Sequence, residues 1–123
     1  MPIKNILVVD DSPTERFFTV DLLTKAGYQV TTAENGEEGI AKAKATKPDL
    51  ILMDVVMPNL NGFQATRTIA REKTTSHIPV ILVTTKDQET DRVWGLRQGA
   101  KGYITKPVNE AQLVKAISEH LPR

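Results

Sequence analysis

Three stretches of this chain are apolar from end to end: Ile6-Leu7-Val8-Val9, Leu50-Ile51-Leu52-Met53 and Val80-Ile81-Leu82-Val83. A strand with one wet face alternates apolar and polar residues, because successive side chains point to opposite sides of the sheet. Unbroken runs of this length require burial on both faces, the condition of a parallel sheet covered by helices. Parallel neighbours also need long crossover connections. The segments between the runs carry helical patterns that meet this need.

The connecting segments read as follows. Ser12-Pro13-Thr14-Glu15 predicts a helix start, with Ser12 as cap, Pro13 at the first helical position and Glu15 completing a capping box. Phe18, Leu22 and Ala26 fall on one face of that helix, and Gly27 stops it. A shorter strand covers Gln29–Ala33, and Asn35-Gly36 turns the chain into a helix carrying Ile40 and Ala43. Residues 62–72 predict a third helix with Phe63, Thr66 and Ile69 or Ala70 inward. Residues 88–98 predict a fourth, ended by Gly99, with Val93 and Leu96 as an inward pair and Trp94 off that stripe. Residues 102–104 form a short fifth strand, and Leu113, Ile117 and Leu121 line the last helix at i, i+4, i+8. Five βα units give an open, doubly wound α/β fold, read as one domain over residues 1–123. Periodicity leaves the strand order, and even closure of the sheet, undecided.

Composition closes several functional classes. The chain has 123 residues, enough for one domain with a sizeable core. It has no cysteine, so disulfides, zinc-thiolate sites and thiol catalysis are excluded. The formal net charge is +1 with no basic run, which argues against nucleic acid as a partner. His77 and His120 match no metal-ligand spacing and read as surface residues. The run Ile6 to Val9 is too short for an export signal or a membrane span, so a cytoplasmic location without membrane insertion is expected.

In open parallel sheets, ligands bind beyond the carboxyl ends of the strands, where the strand order reverses. Strand one ends in Asp10-Asp11, strand three in Asp54, strand four in Thr84-Thr85, and strand five leads to Lys106-Pro107. Singly, these residues are ordinary: Asp pairs cap helices, and exposed lysines are common. Together they put three carboxylates, a hydroxyl and an ammonium on one rim. Two carboxylates about 4 Å apart repel by roughly 4 kcal/mol at an effective dielectric of about 20. A hard divalent cation relieves that repulsion, and an all-oxygen site with open positions suits Mg²⁺. A carboxylate nucleophile, a metal, an ammonium and a hydroxyl are the parts needed to receive a phosphoryl group.

Over its whole length the chain resembles the response-regulator receiver (CheY-like) family. The resemblance rests on Val8-Val9-Asp10-Asp11, on Asp54 with Met57-Pro58 and Gly62, on Pro79-Val80 through Thr84, and on Gly102-Tyr103-Ile104-Thr105-Lys106-Pro107. Asn61-Gly62-Phe63-Gln64-Ala65-Thr66-Arg67 and Thr84-Thr85-Lys86-Asp87-Gln88-Glu89-Thr90-Asp91, leading to Val93-Trp94-Gly95, are similar to PilH-type regulators of twitching motility. The resemblance implies a flavodoxin-like (βα)5 sandwich with strand order 2-1-3-4-5. It implies Asp54 as phosphoacceptor, and Mg²⁺ held by Asp11, Asp54 and the Val56 carbonyl, with Asp10 acting mainly through a metal-bound water. Lys106, Thr84 and the backbone N–H groups of Val56 and Thr85 would contact the phosphoryl group. The family often has a cis bond where this chain has Lys106–Pro107.

The implied partners are a sensor histidine kinase as phosphodonor and a downstream protein target, in pilus or chemotaxis-like machinery. Movement of Thr84 toward the phosphoryl group would vacate space for Tyr103, and Trp94 and Tyr103 are candidate partner-surface residues. Val56, Lys86 and Val108 depart from the commoner family pattern, which bears on the lifetime of the acyl phosphate and on packing beside Lys106. Two other classes fit the pattern less well. A phosphorylation-independent binding module would not need Asp10, Asp11, Asp54, Thr84 and Lys106 all intact. Aspartyl-phosphate phosphatases usually carry an Asp two places after the nucleophile, where this chain has Val56, and no dinucleotide or Walker loop is present.

Overall fold

The structure, a computed structural model, describes residues 4–120. Strands and helices alternate as β1 (Asn5–Val9), α1 (Pro13–Lys25), β2 (Gln29–Ala33), α2 (Gly36–Thr46), β3 (Leu50–Asp54), α3 (Gly62–Arg71), β4 (Val80–Thr84), α4 (Glu89–Arg97), β5 (Gly102–Thr105) and α5 (Glu110–His120). Leu121, expected on the apolar stripe of the last helix, lies outside the described residues. The strands form one parallel sheet in the order β2-β1-β3-β4-β5. The winding therefore reverses between β1 and β3, and the crevice of the switch point opens beyond Val9 and Asp54.

The doubly apolar runs divide their side chains between two cores. Ile6 and Val8, Leu50 and Leu52, and Ile81 and Val83 pack against Leu23 of α1 and Leu113 and Ile117 of α5. Leu7 and Val9, Ile51 and Met53, and Val80 and Leu82 face the other way, onto Ala43 of α2 and Ala65 and Ile69 of α3. Each such side chain contributes about 1.5–3 kcal/mol on burial, so the three central strands anchor the molecule. Edge strand β2 is half exposed, which is why its sequence alternates.

Two expected helix faces differ from those found. In α1 the fully buried residue is Leu23, with Leu22 half-buried, while Phe18 is 52% exposed and Ala26 is an exposed C-cap. Phe17, Phe18, Val20, Leu22 and Leu23 are all apolar, so spacing alone could not choose the inward stripe. In α4 the inward residue is Gly95; Val93 and Leu96 remain 39% and 37% exposed, and Trp94 is 49% exposed. A Cβ at Gly95 would lie 2.6 Å from Leu82 Cδ1. The absent side chain lets the α4 backbone settle on the sheet and turns its apolar neighbours to the flanks.

The capping box expected at α1 is half made. Ser12 Oγ accepts from Glu15 N (3.3 Å), but Ser12 N donates to Asp10 Oδ1 (2.9 Å), so the Glu15 side chain has no capping partner there. The reciprocal box occurs at α3, where Asn61 Oδ1 accepts from Gln64 N and Gln64 Oε1 accepts from Asn61 N, both at 2.9 Å.

Candidate functional site

The carboxyl ends of β1 and β3 bring Asp10, Asp11 and Asp54 together. One carboxylate oxygen from each lies within 4.8 Å of the other two. Asp10 and Asp54 are buried and Asp11 is exposed, so the cluster opens to water on one side. The backbone holds the acids in place. Asp10 N donates to Ala33 O (3.1 Å), and Val55 N donates to Asp54 Oδ1 (3.0 Å). After Asp54 the chain folds back so tightly that a Cβ at Gly62 would lie 2.0 Å from the Asp54 carbonyl oxygen. Gly62 N closes this loop by donating to Val55 O (2.9 Å).

Lys106 reaches the cluster from the end of β5, its backbone anchored by a bond from its N–H to Thr84 O (2.7 Å). Its Nζ lies 3.2 Å from Asp10 Oδ2, 3.1 Å from Glu15 Oε2 and 3.5 Å from Asp54 Oδ1. The Lys106–Pro107 bond is cis. Burial pushes the Asp54 carboxyl up to about 7; the Lys106 charge opposes this, Asp10 and Asp11 reinforce it, and the Val55 N–H opposes it. Burial depresses Lys106, but attraction to Asp54 and Asp10 and hydrogen bonds to Glu15 and Asp10 outweigh it, and its affinity for the proton rises. One ammonium thus faces an excess of carboxylate. All the acidic donors are hard oxygens, and the set fits a hard divalent cation.

The hydroxyl side of the rim is arranged around Lys86. Thr84 is buried, and its Oγ1 accepts from Lys86 N (3.1 Å). Tyr103 OH donates to Lys86 O (2.8 Å). Burial, followed by the charges of Asp91 and Asp87, pushes the Tyr103 phenol up to about 12. Thr85 and Val56 stand exposed at the mouth, Lys86 beside them. Trp94 lies apart, on the exposed flank of α4, where it lines a shallow groove with Val93 and Arg97. His77 is exposed, and His120 abuts Gly102 on β5; neither belongs to the cluster.

The sequence reading missed two residues of the site. Glu15, assigned to capping, pairs with Lys106. Arg16 donates from Nη1 to the Asp10 carbonyl (2.6 Å) and meets Glu34 at 3.5 Å, so it clamps the β1–α1 turn. Position in the first turn of the helix after the acidic pair was the available signal, but only the path of β5 shows what Glu15 reaches.

The sheet order, with an acidic pair, a strand-end Asp and a lysine gathered at its switch point, defines a doubly wound α/β domain with a polar site at the carboxyl ends of its strands. The chain belongs to the response regulator receiver domain family, whose pattern it matches over residues 6–118. It is 61% identical to protein PilH of Pseudomonas aeruginosa over 113 residues, spanning 92% of this chain and 93% of that protein. The Vibrio cholerae chemotaxis protein CheY4 superposes with a TM-score of 0.92 at 32% identity, covering 98% of this chain and all of that one. The receiver domain of a sensor histidine kinase from Pseudomonas aeruginosa has a magnesium ion coordinated in its active-site cleft. It superposes with a TM-score of 0.89 at 30% identity, over 97% of this chain and 98% of that one. Among the described residues, no helix is long and apolar enough to cross a membrane.

Proposed function

We propose that this receiver domain takes a phosphoryl group from the phosphohistidine of a sensor kinase onto Asp54 and signals by changing which protein it binds. The observation that carries this reading is the meeting of Asp54, Asp10, Asp11 and Lys106 at the switch point of the sheet. In the transfer, an Asp54 carboxylate oxygen bonds to phosphorus while the phosphorus–nitrogen bond breaks, and the imidazole nitrogen keeps the electron pair. The product is an acyl phosphate. Asp10, Asp11, Asp54 and the Val56 carbonyl would hold Mg²⁺, which when bound neutralises charge on the phosphoryl oxygens. Lys106 would add its ammonium, and Thr84 Oγ1 and the N–H groups of Val56 and Thr85 would supply further hydrogen bonds.

Lys86 connects this chemistry to the surface. Its N–H is bonded to the Thr84 hydroxyl and its carbonyl to the Tyr103 hydroxyl. Drawing Thr84 to a phosphoryl oxygen breaks the first of these bonds and frees the 84–86 segment. Tyr103 then loses its fixed acceptor and moves inward, which alters the surface of α4 and β5 that carries Trp94. Likeness to PilH supports a role in the control of twitching motility, in the cytoplasm, with a component of the pilus machinery as target. Incubation with acetyl phosphate and Mg²⁺, followed by intact-mass analysis, tests the core of the reading. One phosphoryl group is expected on wild type, and none on Asp54→Asn or in EDTA. An unmodified wild type, or equal labelling of Asp54→Asn, refutes it.

A further inference from the structure

Three carboxylates share the Lys106 ammonium, which has only three N–H donors. The ammonium's hydrogen bonds run to Glu15 and Asp10, while the Asp54 oxygen lies farther off at 3.5 Å; a phosphoryl oxygen on Asp54 that draws the ammonium closer must weaken one of the two shorter contacts. Asp54 is itself the acceptor. Asp10 is buried, and its carboxylate also accepts from Ser12 N. Glu15 differs from both: its side chain is 48% exposed, and its 3.1 Å contact with Nζ is the shortest of the three. Water solvates its carboxylate as soon as it leaves, so its departure costs least. There is also room for it to leave, because a groove of about 140 Å³ runs between Glu15, Phe18, Thr19 and the Lys106-Pro107-Val108 segment.

We infer that Glu15 is a positioning residue that holds Lys106 toward α1 before phosphorylation and must be displaced when the phosphoryl group takes the ammonium. Glu15 thus opposes occupancy of the acceptor site and ties its state to the first turn of α1. This rests on the reading of Asp54 as acceptor with Lys106 as phosphoryl contact.

The test uses beryllium fluoride with Mg²⁺ as a phosphoryl stand-in, followed by ¹⁹F NMR, together with initial rates of labelling across an acetyl phosphate series. Glu15→Gln is expected to lower the half-saturating beryllium fluoride concentration about 3- to 10-fold and to raise the labelling rate at low acetyl phosphate by a similar factor. Glu15→Asp keeps the charge but loses the reach, and should behave like Glu15→Gln. In a Lys106→Met background the gain from Glu15→Gln should vanish. A Glu15→Gln protein within 1.5-fold of wild type overturns the inference. So does a Glu15→Asp protein that matches wild type, or a gain that persists without Lys106, since either means that Glu15 acts by general repulsion. A wild type that binds no beryllium fluoride removes the acceptor reading itself, and this inference with it.

Discussion

Asp54 makes the fold's stability depend on pH in a direction that can be worked out beforehand. Its carboxyl is pushed up to about 7 in the folded protein, chiefly by burial, against about 3.9 in an unfolded chain. The fold therefore favours the neutral acid. That contribution is complete below about pH 4 and is lost as the pH rises through 7. Between pH 5 and pH 8, the difference in proton binding integrates to about two pKa units, or about 2–3 kcal/mol at 1.36 kcal/mol per unit. Asparagine has the same shape and no titration. Urea denaturation in EDTA, followed by circular dichroism, should show Asp54→Asn gaining about 2–3 kcal/mol on wild type over this interval. Titrating groups away from the cluster are common to both proteins, so their effects cancel to first order in the comparison. Adding ~10 mM Mg²⁺ should stabilise wild type at pH 8 and narrow the gap, since a ligand that binds only the folded state raises stability by mass action. Parallel stability curves, or a wild type that gains on the variant as pH rises, would refute both the burial argument and its sign.

Two further outcomes follow from packing. Gly62→Ala must place a methyl group 2.0 Å from the Asp54 carbonyl oxygen, so the β3–α3 turn has to open; a loss of about 3 kcal/mol or more in urea stability is expected, with slower labelling by acetyl phosphate. Among the described residues, the buried Thr66 Oγ1 has no hydrogen-bond partner. Thr66→Val keeps the shape and should leave stability unchanged or raise it by up to about 1 kcal/mol, whereas a loss above about 1 kcal/mol would show that the hydroxyl is satisfied in solution.

Residues that act through their position along a strand were legible in advance, and residues that act through a helix face were not. Asp10, Asp54 and Thr84 each follow a run whose burial on both faces fixes where it ends, so their convergence could be read from the runs. Lys106 came with the fifth strand and the resemblance. Glu15 and Arg16 could not be placed this way. Five apolar residues crowd α1, and spacing allows more than one inward stripe. The stripe actually buried, around Leu23, directs Arg16 to the Asp10 carbonyl and Glu15 to Lys106. The α4 face differs from its apolar spacing for a related reason: the spacing favours Val93 and Leu96, while the close approach permitted by Gly95 decides the orientation.

The order of polar and apolar residues alone determined that the chain would build a covered parallel sheet with acid at the ends of its strands. Those are one-dimensional facts, because burial on two faces leaves a strand no other composition. Only the tertiary structure decided which carboxylate touches the lysine most closely and which side of each helix meets the sheet. Such contacts join residues about ninety positions apart, and they depend on small helix rotations that no local pattern encodes.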